Sequence, residues 1–163
     1  MALDIFGLKT PAGLGEVDLP LEPRVATGTT DIDDSAQTET TAFAVLTIAP
    51  ATGAPLSDVR VVLDLAKATT GFAAVESTVT VQFAVERKVD GTNWRRAAYN
   101  EAALSGTNAA GRSQEIVVGD VGVTEGARIV ALFSADVTAD MEIPWAASYK
   151  ARSAATFTSV AAG

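Results

Sequence analysis

The chain has 163 residues, a net charge of −8 at pH 7, and neither cysteine nor histidine. A chain of this length can fold as one domain that buries roughly 70% of its unfolded surface. Without cysteine there are no disulfides or thiolate nucleophiles, and without histidine the commonest general base and transition-metal ligand are missing. Ser–His–Asp hydrolases, cysteine proteases and zinc enzymes are excluded, so we expect no enzyme, cofactor or metal site.

The negative charge also limits the partners of the chain. An acidic protein gains little from the counterion release that drives binding to nucleic acid, and anionic lipid repels it. The N-terminal residues lack the basic region and apolar stretch of a secretory signal, and no apolar run approaches the roughly 18 residues of a membrane span. We expect a protein made in the cytoplasm that binds neither nucleic acid nor membrane.

Residues 1–40 differ from the rest of the chain. They show no sustained apolar period and are interrupted by Pro11, Pro20, Pro23 and several glycines, which predicts an extended arm. Large apolar side chains would be buried if this arm lay on a neighbouring surface, and packing on its own domain is an equal alternative. The arm residues expected to bind a partner are Ile5, Phe6, Leu8, Leu14, Val17 and Leu19.

Residues 41–150 alternate between apolar and polar side chains, the period of half-buried strands. The pattern predicts strands at 43–48, 59–65, 78–89, 94–99, 114–118, 127–135 and 141–149. Asp90-Gly91 predicts a hairpin, residues 64–74 a short helical turn, and Pro144 an edge or a bulge in the last strand. The expected fold is all-β, a β-sandwich or jelly roll of about 7–8 antiparallel strands, followed by a tail at 151–163.

A cluster of basic side chains flanks the predicted hairpin of this acidic chain. Its members are Arg87, Lys88, Arg95 and Arg96. They can pair with carboxylates across the two strands, the safer interpretation, or meet an acidic partner surface.

Two further patterns suggest binding sites, each with a simpler explanation. Asp31, Asp33, Asp34 and Glu39 resemble part of a calcium loop, but they lack the EF-hand spacing and are more typical of a solvated linker. The four aromatic residues Trp94, Tyr99, Trp145 and Tyr149 could form a sugar-binding platform, although core packing is the more frequent role.

Taken together, several features resemble the small decoration (cement) proteins of tailed bacteriophage capsids. They are the proline- and glycine-broken arm, the threonine-, alanine- and valine-rich sandwich, and the strand-turn-strand VQFAVERKVDGTNW. This resemblance implies a β-sandwich or jelly roll that binds the major capsid protein on the capsid exterior as a homo-oligomer, a trimer or dimer. It implies no catalytic residues.

Two other classes stay open. A carbohydrate-binding or adhesion module predicts that Trp94, Trp145 and a tyrosine are exposed on one face. Another virion part, such as a tail tube or head-completion protein, predicts rings or filaments.

Overall fold

The computed structural model describes residues 20–32, 43–52, 54–67, 80–88, 90–99, 104–105, 112–122, 125–134 and 141–159. Within these residues ten strands form two antiparallel sheets. The strands are β1 (Glu22–Ile32), β2 (Phe43–Ala49), β3 (Leu56–Asp64), β4 (Thr80–Arg87), β5 (Arg95–Tyr99), β6 (Leu104–Ser105), β7 (Ser113–Val121), β8 (Ala127–Phe133), β9 (Met141–Ala151) and β10 (Thr156–Ser159). A 3-10 turn at Leu65–Lys67 confirms the short helical turn predicted after β3.

The strand pairing is that of a jelly roll. The first sheet has the order β1-β9-β3-β7, and the second has the order β10-β2-β8-β4-β5, with β6 beside β4. Strands from the first half of the chain thus pair with strands from the second half in reverse order: β1 with β9, β2 with β8, β3 with β7, and β4 with β5. One long antiparallel ribbon is folded over so that successive pairs fall in alternate sheets, which confirms the expected fold class.

The core lies between the two sheets and follows the predicted alternation. In β3, Val59, Val61 and Leu63 are fully buried, while Arg60 and Val62 between them face outward. The same alternation recurs in β7 and β9, whereas in β4 the four consecutive residues 83–86 are all buried. Because β-branched residues and leucines supply most of this interior, the two sheets are held chiefly by aliphatic packing.

The predicted boundary between arm and sandwich at residue 40 does not hold. Glu22–Ile32 is a strand that pairs with β9 along its whole length, from Glu22 opposite Ala151 to Ile32 opposite Met141. Thr156–Ser159, assigned to the tail, likewise forms β10 and pairs with β2. The parts of the predicted arm at residues 1–19 and 33–40 lie outside the described residues, as do residues 160–163.

A close contact between Trp145 and Gly28 explains why β1 lacks an apolar period. The two residues face each other across the β1–β9 ladder, and an ideal Cβ on Gly28 would lie 2.7 Å from Cζ2 of the indole. The buried ring also stacks on Phe157 of β10, with ring centroids 5.6 Å apart. The space beneath β1 is therefore filled by a side chain from the neighbouring strand.

Pro144 lies where β9 is locally an edge, although β9 as a whole is flanked by β1 and β3 in the described residues. The β1–β9 register runs through Pro144 without a shift, so the strand has no bulge there. Proline is tolerated there because Leu63 opposite Trp145 is the last residue pair between β3 and β9. Beyond that pair β9 has a ladder on one side only, and the missing N–H of Pro144 costs no hydrogen bond to β3.

We expect Gly28→Ala to lower the free energy of unfolding by about 1–3 kcal/mol, because the added methyl group would overlap the indole of Trp145. Urea denaturation followed by circular dichroism measures this loss. Thr27→Ala, at the exposed neighbouring position, is the control and should change stability by less than about 0.5 kcal/mol.

A double variant separates this overlap from a general intolerance of side chains in β1. In a Trp145→Phe background the ring atoms nearest Gly28 are absent, so Gly28→Ala should then cost less than it does in the parent chain. An equal cost in both backgrounds would show that the indole does not impose the glycine.

Candidate binding surface

The outward side of the β1-β9-β3-β7 sheet carries mostly small and β-branched side chains. The register places them in rows across the four strands. One row contains Val25, Ser148, Arg60 and Val117, and the next contains Thr27, Ala146, Val62 and Glu115. We call the outward side chains of these two rows the valine face.

Three valines on this face are the large aliphatic side chains exposed to solvent in the described part of the chain. Val25 is 74% exposed, Val117 is 53% exposed and Val62 is 38% exposed. They come from three different strands. Short side chains, Ser148 and Ala146, separate Val25 from β3, whereas the Arg60–Glu115 ion pair lies between Val62 and Val117. A surface that combines exposed aliphatic groups with paired charges is compatible with a protein–protein contact.

The charged groups beside the valines neutralise one another. Arg60 contacts Asp58 at 3.4 Å and Glu115 at 3.1 Å, and Lys150 contacts Asp58 at 3.4 Å. The hydrogen bonds from Arg60 and then Lys150 hold the pKa of Asp58 below its usual value of 3.8. Because each carboxylate has a basic partner, the valine face presents apolar area without a strong field of either sign.

A β-bulge at the start of β3 shapes one end of the surface. The register of β3 shifts between Leu56 and Val59, and Asp58 has a positive φ of 55°. The Asp120 carboxylate accepts hydrogen bonds from the Asp58 amide at 3.0 Å and the Ser57 hydroxyl at 2.8 Å, which lowers the pKa of Asp120. The Asp120 carboxylate thus provides a hydrogen-bond acceptor for the Asp58 amide at the bulge, where the ladder between β3 and β7 is interrupted.

Two shallow depressions open on this sheet, and both are small. One has a volume of about 210 Å³ and is lined by Pro23, Arg24, Val25, Asp58, Ser148, Tyr149 and Lys150. The other has a volume of about 180 Å³ and is lined by Val62, Asp64, Pro144, Trp145 and Ala146. Both fall below the roughly 300–1,000 Å³ typical of sites for small organic ligands, so they suit surface contacts better than a bound metabolite.

The predicted basic cluster is built partly around a buried carboxylate. Glu86 of β4 is only 7% exposed and lies opposite Arg96 of β5 and Arg128 of β8. Its two oxygens contact Arg96 at 3.0 Å and Arg128 at 2.7 Å. Burial disfavours the charged form, but the two guanidinium groups outweigh it and hold the pKa of Glu86 below 4.5. Cross-strand pairing of Arg96 is thus confirmed.

The other three basic residues have separate roles. Arg87 points between the sheets, donates hydrogen bonds to the carbonyls of Val118 and Asp120, and so closes one end of the sandwich. The Lys88 amide donates to the carbonyl of Gly126 at 2.9 Å. The Arg95 side chain is exposed and stays a candidate contact for an acidic partner.

The three described aromatic side chains of the predicted sugar-binding platform do not share one exposed face, and the Tyr99 side chain lies outside the described part of the chain. Trp145 and Tyr149 are buried on the core side of β9, where both contact Phe157. Trp94 is half-buried, with the Arg128 guanidinium 4.5 Å from the ring centroid and the Lys88 ammonium at 5.9 Å. Its faces are thus engaged by cations from its own domain.

The remaining predicted sites lie wholly or partly beyond the described residues. Asp31 is buried at the end of β1, whereas the other carboxylates of the acidic stretch are not described, nor are the six apolar arm residues. Among the described residues no group of three or more acidic side chains could hold a metal ion. Nor does any helix there have the length and apolarity to cross a membrane.

Comparisons with protein-family models, with curated proteins and with solved structures found no match. The fold and its surface define a jelly-roll domain with a neutral, valine-rich outer face.

We expect Glu86→Gln to lower the free energy of unfolding by about 1–3 kcal/mol, because the two guanidinium groups would face each other without a neutralising charge. The folded-state pKa of Glu86 is lowered, so its contribution is present above pH 4.5 and is lost as the pH falls through that lowered value. The difference between parent and variant should therefore shrink in acid, as measured by urea denaturation at a series of pH values.

Glu115→Gln is the matched control, since its side chain is 54% exposed and also contacts an arginine. Exposed pairs contribute little, so this change should cost less than about 1 kcal/mol. Equal losses from the two substitutions would mean that Glu86 behaves as a surface residue.

Proposed function

We propose that the chain is a structural virion protein that binds the outer surface of a tailed-phage capsid and stabilises contacts between major capsid subunits. The observation that carries this proposal is the valine face. Its exposed valines and balanced charges suit a flat protein surface better than a soluble ligand.

The position of β1 in the first sheet supports the same function. β1 is an outer strand of the sheet that carries the valine face, so the chain enters the domain at the border of that face. The apolar residues before β1, from Ile5 to Leu19, would extend the contact beyond the sandwich. A neighbouring capsid subunit lying across both parts would bury aliphatic area from each.

Repetition makes weak contacts sufficient. A fully buried valine contributes about 1.5–3 kcal/mol, and this gain is reduced by the cost of association. On a capsid the same contact recurs at every equivalent lattice position, so a modest affinity per copy reinforces the whole shell.

Co-sedimentation with heads of the encoding phage that lack outer proteins tests the proposal. The intact chain should saturate the heads at a fixed ratio, and Val117→Lys should bind at least about tenfold more weakly because a charge is placed in the apolar contact. Thr158→Lys, which adds the same charge to an exposed position of the other sheet, should bind within about twofold of the parent.

A deletion of residues 2–19 tests the N-terminal segment separately. It ends before β1, so the sandwich should keep its melting temperature while binding to heads falls. Failure of the intact chain to bind would refute the decoration role. Normal binding by Val117→Lys would exclude the valine face from the contact, and normal binding by the deletion would exclude the segment.

A further inference from the structure

The outer edge of β1 differs from the other sheet edges in the described part of the chain. β1 has eleven residues and pairs there with β9 alone. In the second sheet the edge strands are short: β10 has four residues, and β5 has five and begins with two arginines. β7 is longer, but register shifts interrupt its ladder with β3 near Gly119, which has a positive φ.

On this side no strand of the described residues pairs with the backbone of β1. Natural sheets protect long edges with charges, bulges or prolines, because an open edge accepts another strand. The central part of β1, from Val25 to Thr30, has no charged residue, no proline and no register shift against β9. An edge of this kind is suited to pairing.

Two prolines show which amides of β1 point toward the open edge. Pro23 lies opposite Lys150, and Thr29 lies opposite Pro144. Neither pair can exchange two backbone hydrogen bonds because proline has no N–H, so both are non-hydrogen-bonded pairs of the β1–β9 ladder. Alternate residues share one direction, and Val25, Thr27 and Thr29 therefore present their N–H and C=O groups to the open edge.

We propose that this edge pairs with β1 of a second copy of the chain, antiparallel about a two-fold axis at Thr27. This register sets Thr27 opposite its own copy and Val25 opposite Thr29. Val25, Thr27 and Thr29 then exchange reciprocal hydrogen bonds with the second copy, and β-branched side chains meet across the new strand pair.

The register favours a second copy as the occupant, because β1 is complementary to itself and brings no like charges together. In the same register Arg24 faces Thr30 and Glu22 faces Ile32, so no charged residue meets a like charge. The carboxylate of Glu22 contacts its own Arg24 at 3.3 Å, which further reduces the charge at the end of the strand. The resulting dimer is closed, and its two valine faces lie side by side on one continuous sheet.

The absence of cysteine from the chain allows a direct cross-linking test. At the two-fold axis the Thr27 Cα atoms would be about 5.5 Å apart, which a disulfide can span. Purified Thr27→Cys should form a disulfide-linked dimer under mild oxidation. Ser148→Cys is the control, because the two β9 strands would be separated by three strand spacings, about 14 Å, beyond disulfide reach.

Light scattering on the purified chain provides a second readout. The parent should have the mass of a dimer, and Thr27→Lys should have the mass of a monomer because two ammonium groups would meet at the axis. Val62→Lys, on the valine face but away from the edge, should stay dimeric. Circular dichroism would establish that both variants are folded.

Several results would overturn the pairing. These are a monomeric or trimeric parent, a dimer that Thr27→Lys leaves intact, a dimer dissociated by Val62→Lys, or equal cross-linking of the two cysteine variants. A monomeric parent in which residues 2–19 shield Thr27→Cys from thiol reagents would assign the edge to the N-terminal segment of the same chain. Because the test uses the isolated protein, its outcome is independent of binding to capsids.

Discussion

The close approach of the Trp145 indole to Gly28 holds β1 in place beside β9, and β1 forms the border of the valine face. The ring lies between β1 and β10, which belong to different sheets, and its stacking on Phe157 links the two. The Arg24 guanidinium adds a second attachment through bonds to the carbonyls of Ala151 and Arg152. Together these contacts hold β1 against β9, and so they set the border of the valine face.

Strands with an apolar side of their own could be predicted from the sequence. β3, β4 and β9 alternate because their inward residues fill the core, and the hairpin of β4 and β5 was signalled by Asp90-Gly91. β1 could not be found in this way. Its inward positions include Arg24, Gly28 and Thr30, since the volume beneath them is taken by Trp145 and the Thr30 hydroxyl bonds to β2.

The candidate binding surface could likewise be predicted only in part from the sequence. The pairing of basic residues across β4 and β5 was predictable because they are neighbours in sequence, but Arg128, the second partner of Glu86, arrives from β8. The valine face was missed because its members lie on three strands that become neighbours only through the jelly-roll order. A local signal existed in β3, where Val62 stands between Arg60 and Asp64 on the polar side of the strand.

The reversed pairing order of the ribbon has a consequence for synthesis. The Arg24 side chain donates a hydrogen bond to the carbonyl of Ala151, 127 positions later, so β1, the first of the described strands, cannot complete its contacts until β9 has been synthesised. Bringing together residues so far apart in sequence costs a large loop-closure entropy before the contact stabilises the fold. Folding of this topology is therefore slow. The β1–β9 ladder therefore cannot form until residues 141–151 have been synthesised, and the first sheet is completed only late in translation.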